Sequence, residues 1–226
     1  MSLFEEHKAE RRERILIAAR KLIAEGGYDG LTMRDLARAA RVSVPTLYNL
    51  FGGKDAILIA ELEASARTIA ARMPPLSEGF YARGRASFTT GMQLIEDSPA
   101  LYRAALHMFL SSPQMTPVRR RVEEAFIAIM AGNLGAAKAA GQLADWAQPM
   151  IVARHLFAIY MATFISWAVG ELDMPAFRAA ASSGMCHVLI GVARGDFARD
   201  VEAELRALAS EPALQPFQEA RHVQSR

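Results

Sequence analysis

The sequence predicts an all-α protein of about nine to ten helices, a small N-terminal unit followed by a larger helical body. Three observations carry that reading. Apolar residues recur at helical spacing in almost every window, and no convincing strand pattern interrupts them. Capping and stop residues stand where the period breaks. With 226 residues, 52% hydrophobic and 22% charged, the chain has the length and composition to bury a core.

The elements follow in order. Ile15, Ala18, Ala19, Leu22 and Ile23 form one face of a first helix, which Gly26-Gly27 should stop. Thr32 is a good N-cap for a second helix, with Asp35 three residues on. Ser43 is an N-cap for a third, with Pro45 in its first turn, where a missing N–H costs little. Gly52-Gly53 ends that short helix, and a longer one is expected over about 54–73. Pro74-Pro75 punctuates the chain. Beyond it, Phe88, Met92 and Ile95 share a face, as do Tyr102, Leu106 and Phe109, and then Val122, Phe126, Ile129 and Met130. A long apolar helix spans about 149–170, Asp173 and Pro175 open another reaching about 194, and a short amphipathic helix covers 201–209. Residues after Pro212 are expected to fray.

Composition excludes several function classes. A net charge of +2 rules out a histone-like polybasic binder but permits a local basic patch. A single cysteine, Cys186, allows no disulfide framework within the chain and no multi-cysteine metal site, and it reads as packing rather than as a redox sensor. His107, His155 and His187 lack metal-type spacing, so no metal is expected. The charged N-terminus is unlike a signal peptide. The longest uncharged run, His155 to Gly170, is too short for a membrane span and reads as a helix buried on several sides. A soluble, cytoplasmic protein is the expectation.

Residues 32–51, TMRDLARAARVSVPTLYNLF, describe two short helices joined by a tight turn, a helix-turn-helix. Leu36, Ala37 and Ala40 can meet Leu47 and Phe51, with Ala39 and Ala40 small enough for a close crossing. That leaves Val44, Pro45, Thr46, Tyr48 and Asn49 facing outward, where a DNA major groove would use them. Residues 8–54 carry ten Lys and Arg against five Asp and Glu, a local +5 that suits a phosphate backbone. Lys54, placed where the helix macrodipole disfavours a cation, would suit a phosphate held jointly with free helix amides. On pattern alone, similar helix pairs also occur in proteins that do not bind DNA.

The stretch from Arg14 to Leu62 resembles the DNA-binding domain of the TetR family of transcriptional regulators. The likeness rests on AA-x-x-L-I-x-x-x-G in the first helix, T-x-R-D-L-A in the second, V-S-x-x-T-L-Y-x-x-F in the third and K-x-x-x-L opening the fourth. The resemblance implies that Arg34, Val44, Pro45, Thr46, Tyr48, Asn49 and Lys54 contact operator DNA, with Leu47 and Phe51 in the core. Two positions depart from the family pattern. Arg41 stands where a turn glycine is common, so it must turn left-handed or the turn must differ. Leu50 replaces a residue that is often polar, which removes a phosphate contact.

Beyond residue 62 the resemblance is one of layout, with Gly141 closing the seventh helix. It implies a helix-turn-helix domain over 1–55, a ligand-binding and dimerisation body over 56–212 and a flexible tail over 213–226. For the pocket, the available residues are Phe88, Met92, Tyr102, Leu106, His107, Phe109, Phe126, Met130, Phe157, Tyr160, Met161, Phe164 and Trp167, any of which can equally fill a core. For a homodimer interface on the last two long helices they are His155, Ile159, Thr163, Ala180, Gly184, His187, Val188 and Gly191. The function expected is a cytoplasmic, ligand-responsive repressor that binds a palindromic operator as a dimer and is released by a small, largely apolar effector. The competing readings are a DNA-binding dimer with no effector and an α-helical enzyme. For the enzyme no phosphate loop, nucleophile elbow or paired carboxylates speak, and neither catalytic residues nor a cofactor are expected.

Overall fold

The computed structural model describes residues 3–111 and 115–214, so most of the expected tail lies outside the described residues. The described residues form ten α-helices: α1 Leu3–Gly30, α2 Met33–Ala39, α3 Val44–Phe51, α4 Lys54–Ala71, α5 Phe80–Asp97, α6 Pro99–Ser111, α7 Thr116–Ala139, α8 Pro149–Ala168, α9 Met174–Val192 and α10 Gly195–Leu208. Among them the one β-type contact is an isolated antiparallel bridge between Leu143 and Ala193.

Local chemistry explains most boundaries. The Thr32 side chain accepts from the Asp35 amide at 3.1 Å, and the Ser43 hydroxyl accepts from the Thr46 amide at 3.2 Å. Both therefore satisfy a helix N–H that has no partner within its own helix. Asp173 does the same for α9, accepting from the Ala176 amide at 2.8 Å. Gly27 breaks α1 with φ 70 and ψ 169, so the glycine stop is a kink before the helix ends at Gly30. Two helices begin earlier than the sequence reading has them. α1 extends back to Leu3, because the charged residues before Ile15 are good helix formers with no capping signal. α10 starts at Gly195 rather than near Val201, since Phe197, one turn ahead of Val201, is buried with it.

Two compact units result. The first holds the described residues up to Thr68 together with those of the segment 93–122. Its core is built from Ile15, Ala19, Ile23, Leu36, Ala40, Leu47, Ile57 and Leu58, all essentially inaccessible to solvent. It takes in more than the segment 1–55 expected from sequence. Leu62 and Leu101 are buried in it, and Tyr102 hydrogen-bonds the Ser65 hydroxyl at 2.8 Å. The second unit holds Ile69–Met92 and the described residues from Glu123 on. Its core brings Leu134, Ala137, Val152, Ala153, Leu156, Phe197 and Val201 together. α8 contributes Phe157, Tyr160, Phe164 and Trp167 at three- and four-residue steps, and Phe177 of α9 packs among the last three rings.

α8 corrects one expectation. It buries Val152, Ala153, Leu156, Phe157, Phe164 and Trp167, but it is not covered on several sides. Ile151, His155, Ala158, Ala162, Ile165 and Val169 are all exposed, recurring at alternating steps of four and three. α8 is long and apolar enough to cross a membrane, yet its inner face is accounted for as core of the second unit.

Candidate nucleic-acid interface and effector cavity

The geometry of the first unit centres on α3. Leu47 is fully buried, and Phe51 is half-buried beneath the Arg12 guanidinium, which lies 4.2 Å from the ring centroid. On the opposite side Pro45, Tyr48 and Asn49 are exposed, with 52% of the tyrosine accessible. Val44 and Thr46 are half-buried, and the Thr46 hydroxyl lies 2.7 Å from that of Ser43. Arg34 is exposed on α2. Ala39 is exposed too, so the close α2–α3 crossing rests on Ala40 rather than on the pair.

The turn before α3 resolves the question raised by Arg41. Its φ is 53, the left-handed region, in a turn where the Val42 amide donates to Ala37 O at 3.0 Å and the Arg41 amide to Arg38 O at 3.3 Å. These paired bonds terminate α2 as a Schellman motif, which normally favours glycine at this position. The N-terminal arginines supply what the sequence reading missed. Arg14 Nε donates to Ala40 O at 3.0 Å, beyond the end of α2, and Arg12 donates to Leu50 O at 2.6 Å, in the last turn of α3. Cations are favourable at helix C-termini, where carbonyls lack partners. Two arginines that entered the sequence reading only through the local +5 thus hold both helices of the motif. A sequence signal for this is hard to see, because the contacts span 26 and 38 residues.

Lys54 opens α4 with its ammonium 4.2 Å from the Tyr28 ring centroid and 3.5 Å from Asp29 O. Tyr28 in turn donates to Asp55, and burial together with that carboxylate pushes its pKa well above the ordinary phenol value. Behind this surface, Glu61 is 4% exposed, with Arg20 Nε at 3.2 Å from its carboxylate. Burial outweighs the arginine and pushes the Glu61 pKa up to about 7.

The second unit contains a cavity of about 130 Å³. Its origin lies on α5, where Gly84, Ser87 and Gly91 place small residues on one face, at three- and four-residue steps, toward rings from three other helices, α7, α8 and α10. Phe88, Phe126, Met130, Phe157 and Tyr160 line it as the sequence reading lists them, and Phe80, Tyr81, Met185 and Phe197 join them. Tyr81 and Cys186 face each other at 3.9 Å, and burial raises the pKa of both, so each stays protonated near neutral pH.

Residues 15–60 match the family model described as bacterial regulatory proteins, tetR family. The N-terminal segment is a TetR-family domain. Over 70 residues the chain is 41% identical to the HTH-type transcriptional regulator HbdR of Aromatoleum sp. (strain CIB), a match covering 31% of each chain. Over 63 residues it is 41% identical to the HTH-type transcriptional repressor KstR of Rhodococcus jostii (strain RHA1), covering 28% of this chain and 30% of that one. The aligned segment therefore spans under a third of either relative. The likeness in fold reaches much further. The TetR regulator TylP of Streptomyces fradiae superposes with a TM-score of 0.66 at 20% identity, covering 95% of this chain and 99% of that one. SmeT, the repressor of the Stenotrophomonas maltophilia multidrug efflux pump SmeDEF, gives 0.62 at 20%, covering 82% and 92%.

The TetR-type domain thus gathers Arg34, Val44, Pro45, Thr46, Tyr48, Asn49 and Lys54 within one compact unit. The expected pocket list divides. Tyr102, Leu106, His107 and Phe109 belong to the first unit, where Tyr102 and Leu106 are buried and His107 is exposed, and none of the four lines the cavity. Met92, Met161, Phe164 and Trp167 do not line it either. Met92 is fully buried, and Phe164 and Trp167 pack against Phe177. Large side chains do not mark the cavity in the sequence, because it opens where α5 has small ones. On α8 and α9, His155, His187 and Gly191 are exposed, and Ile159, Thr163, Ala180, Gly184 and Val188 are half-buried. Gly184 lies against Ile159, whose Cγ2 would be 2.7 Å from a Cβ added there.

Proposed function

We propose that the protein is a cytoplasmic, ligand-responsive transcriptional repressor that binds a palindromic operator as a homodimer and leaves it when a small, largely apolar molecule fills the cavity. The observation that carries DNA binding is α3 itself, buried on Leu47, clamped by Arg12 at its C-terminus and exposing Pro45, Tyr48 and Asn49. Dimerisation rests on the exposed α8 stripe from Ile151 to Val169. Its alternating steps of four and three match the seam of packed helices, and small residues on α9 would let two copies approach. The cavity favours an effector over a dimer with no ligand, because close packing is otherwise the rule in a protein interior.

Coupling has a physical route in α4, which carries Lys54 at its first turn and Ile69 in the cavity wall. A ligand that prefers one position of that helix need supply only about 1–3 kcal/mol to respace two recognition helices off their half-sites. The relatives matched in sequence are transcriptional regulators, which points away from an enzyme.

A gel shift with DNA upstream of the protein's own reading frame tests the reading. Wild type should retard it as a dimer, and Tyr48→Ala should weaken binding by roughly 1–3 kcal/mol, the scale of one lost specific contact. Equal binding by the variant would remove α3 from the interface.

A further inference from the structure

We propose that the effector is an organic cation, an apolar body carrying one ammonium group, and that the carboxylates of Asp200 and Glu204 at the cavity's mouth select it. The inference rests on the cavity being the effector site and names the chemistry that site accepts.

The cavity is not closed. Gly84 and Arg85, both among its walls, are exposed to solvent. Tyr81 and Arg85 also border an open groove between α5 and α10, so the two spaces meet at this pair of side chains. Ala82, Ala86 and Ala203 line the groove too, and side chains so short leave it unfilled.

The two spaces differ in character. Inside, the rings of Phe80, Phe88, Phe126, Phe157 and Phe197 make the wall largely apolar. Outside, Glu78, Asp200 and Glu204 set three carboxylates against the single guanidinium of Arg85. α10 carries two basic side chains, and both are engaged elsewhere, Arg199 with Asp196 and Arg206 with Glu202. Among the described residues, the side chains of Glu78, Asp200 and Glu204 make no ion pair or hydrogen bond. Asp200 and Glu204 stand four residues apart on α10, a spacing at which like charges destabilise a helix and a shared cation relieves them.

The acidic field reaches the cavity wall. Burial raises the pKa of Tyr81 and of Cys186, and the half-buried Glu204 carboxylate raises both further. A negative potential that holds protons on those groups attracts a bound cation in the same way and repels an anion. Tyr81 adds an aromatic ring beside the carboxylates, the kind of surface on which quaternary ammonium groups are held. An apolar body among the rings with its ammonium at this wet rim keeps the charge from being buried without a partner.

Phenyltrimethylammonium and tert-butylbenzene test the proposal, because they share a shape and differ by one positive charge, and benzenesulfonate supplies the anion. Binding is read by titration calorimetry on wild type, on the double variant Asp200→Asn with Glu204→Gln, and on Arg85→Gln, with operator release measured in parallel by fluorescence anisotropy. The expected result is the ammonium binding wild type about tenfold tighter than its neutral isostere, with benzenesulfonate weakest. The double variant should lose that preference, and Arg85→Gln should enlarge it. A neutral isostere that binds as tightly as the ammonium, a preference that survives the loss of both carboxylates, or no binding of the ammonium overturns the assignment. The two levels separate cleanly. Ammonium-selective binding with no operator release would support the acidic mouth and refute the effector reading. Operator release by tert-butylbenzene and the ammonium alike would keep the effector reading and refute selection by charge.

Discussion

Glu61→Gln isolates a buried charge at the centre of the first unit. The carboxylate is 4% exposed, and its pKa is pushed from 4.5 to about 7 because burial outweighs the pull of Arg20, with Glu13 adding repulsion. Between those two values the folded chain holds a proton that the unfolded chain has released. Stability then falls as pH rises, since the slope follows the excess of protons on the unfolded state, here negative. At about 1.4 kcal/mol per pH unit, the full span amounts to roughly 3 kcal/mol, present below pH 4.5 and lost once pH passes 7. Glutamine copies the protonated acid in shape and cannot ionise. Urea unfolding of both proteins at pH 5, 6, 7 and 8.5 reads the difference directly, and other titrating groups cancel in the comparison. The variant should gain on wild type by about 2–3 kcal/mol between pH 5 and 8.5. A gap that stays constant within about 0.5 kcal/mol would mean that Arg20 fully compensates the burial, and the argument would fail.

The remaining expectations concern helix placement. Arg12→Ala should lower stability by about 1–2 kcal/mol, through the lost bond to Leu50 O and the lost contact with the Phe51 ring, and weaken operator binding with the salt dependence unchanged. A salt slope reduced by about one would instead make Arg12 a phosphate ligand. Gly184→Ala should cost about 1–3 kcal/mol in denaturant unfolding, because its Cβ would sit 2.7 Å from Ile159 Cγ2. Adding Ile159→Ala should recover part of that loss, and an unperturbed single variant would refute the close crossing of α8 and α9.

The sequence by itself determined what is written in short range. Thr32, Ser43 and Asp173 cap helices within three residues of themselves, Gly52 and Gly141 turn left-handed just past helix ends, and the outward residues of α3 follow from its period once Leu47 is taken as core. These features depend on contiguous residues, so a linear reading reaches them. Arg41 was legible as a conflict, a side chain at a glycine position, but not in its outcome. Only the tertiary structure decided the rest. Arg12 and Arg14 become helix clamps because α1 runs past the ends of α2 and α3. Tyr102, Phe164 and Trp167 turn out to be core, since an aromatic side chain looks the same in sequence whether it fills space or borders it. The cavity is set by what is missing, at Gly84, Ser87 and Gly91, measured against rings contributed by helices far along the chain. An empty volume belongs to no single residue, and only the packed arrangement of all its walls defines it.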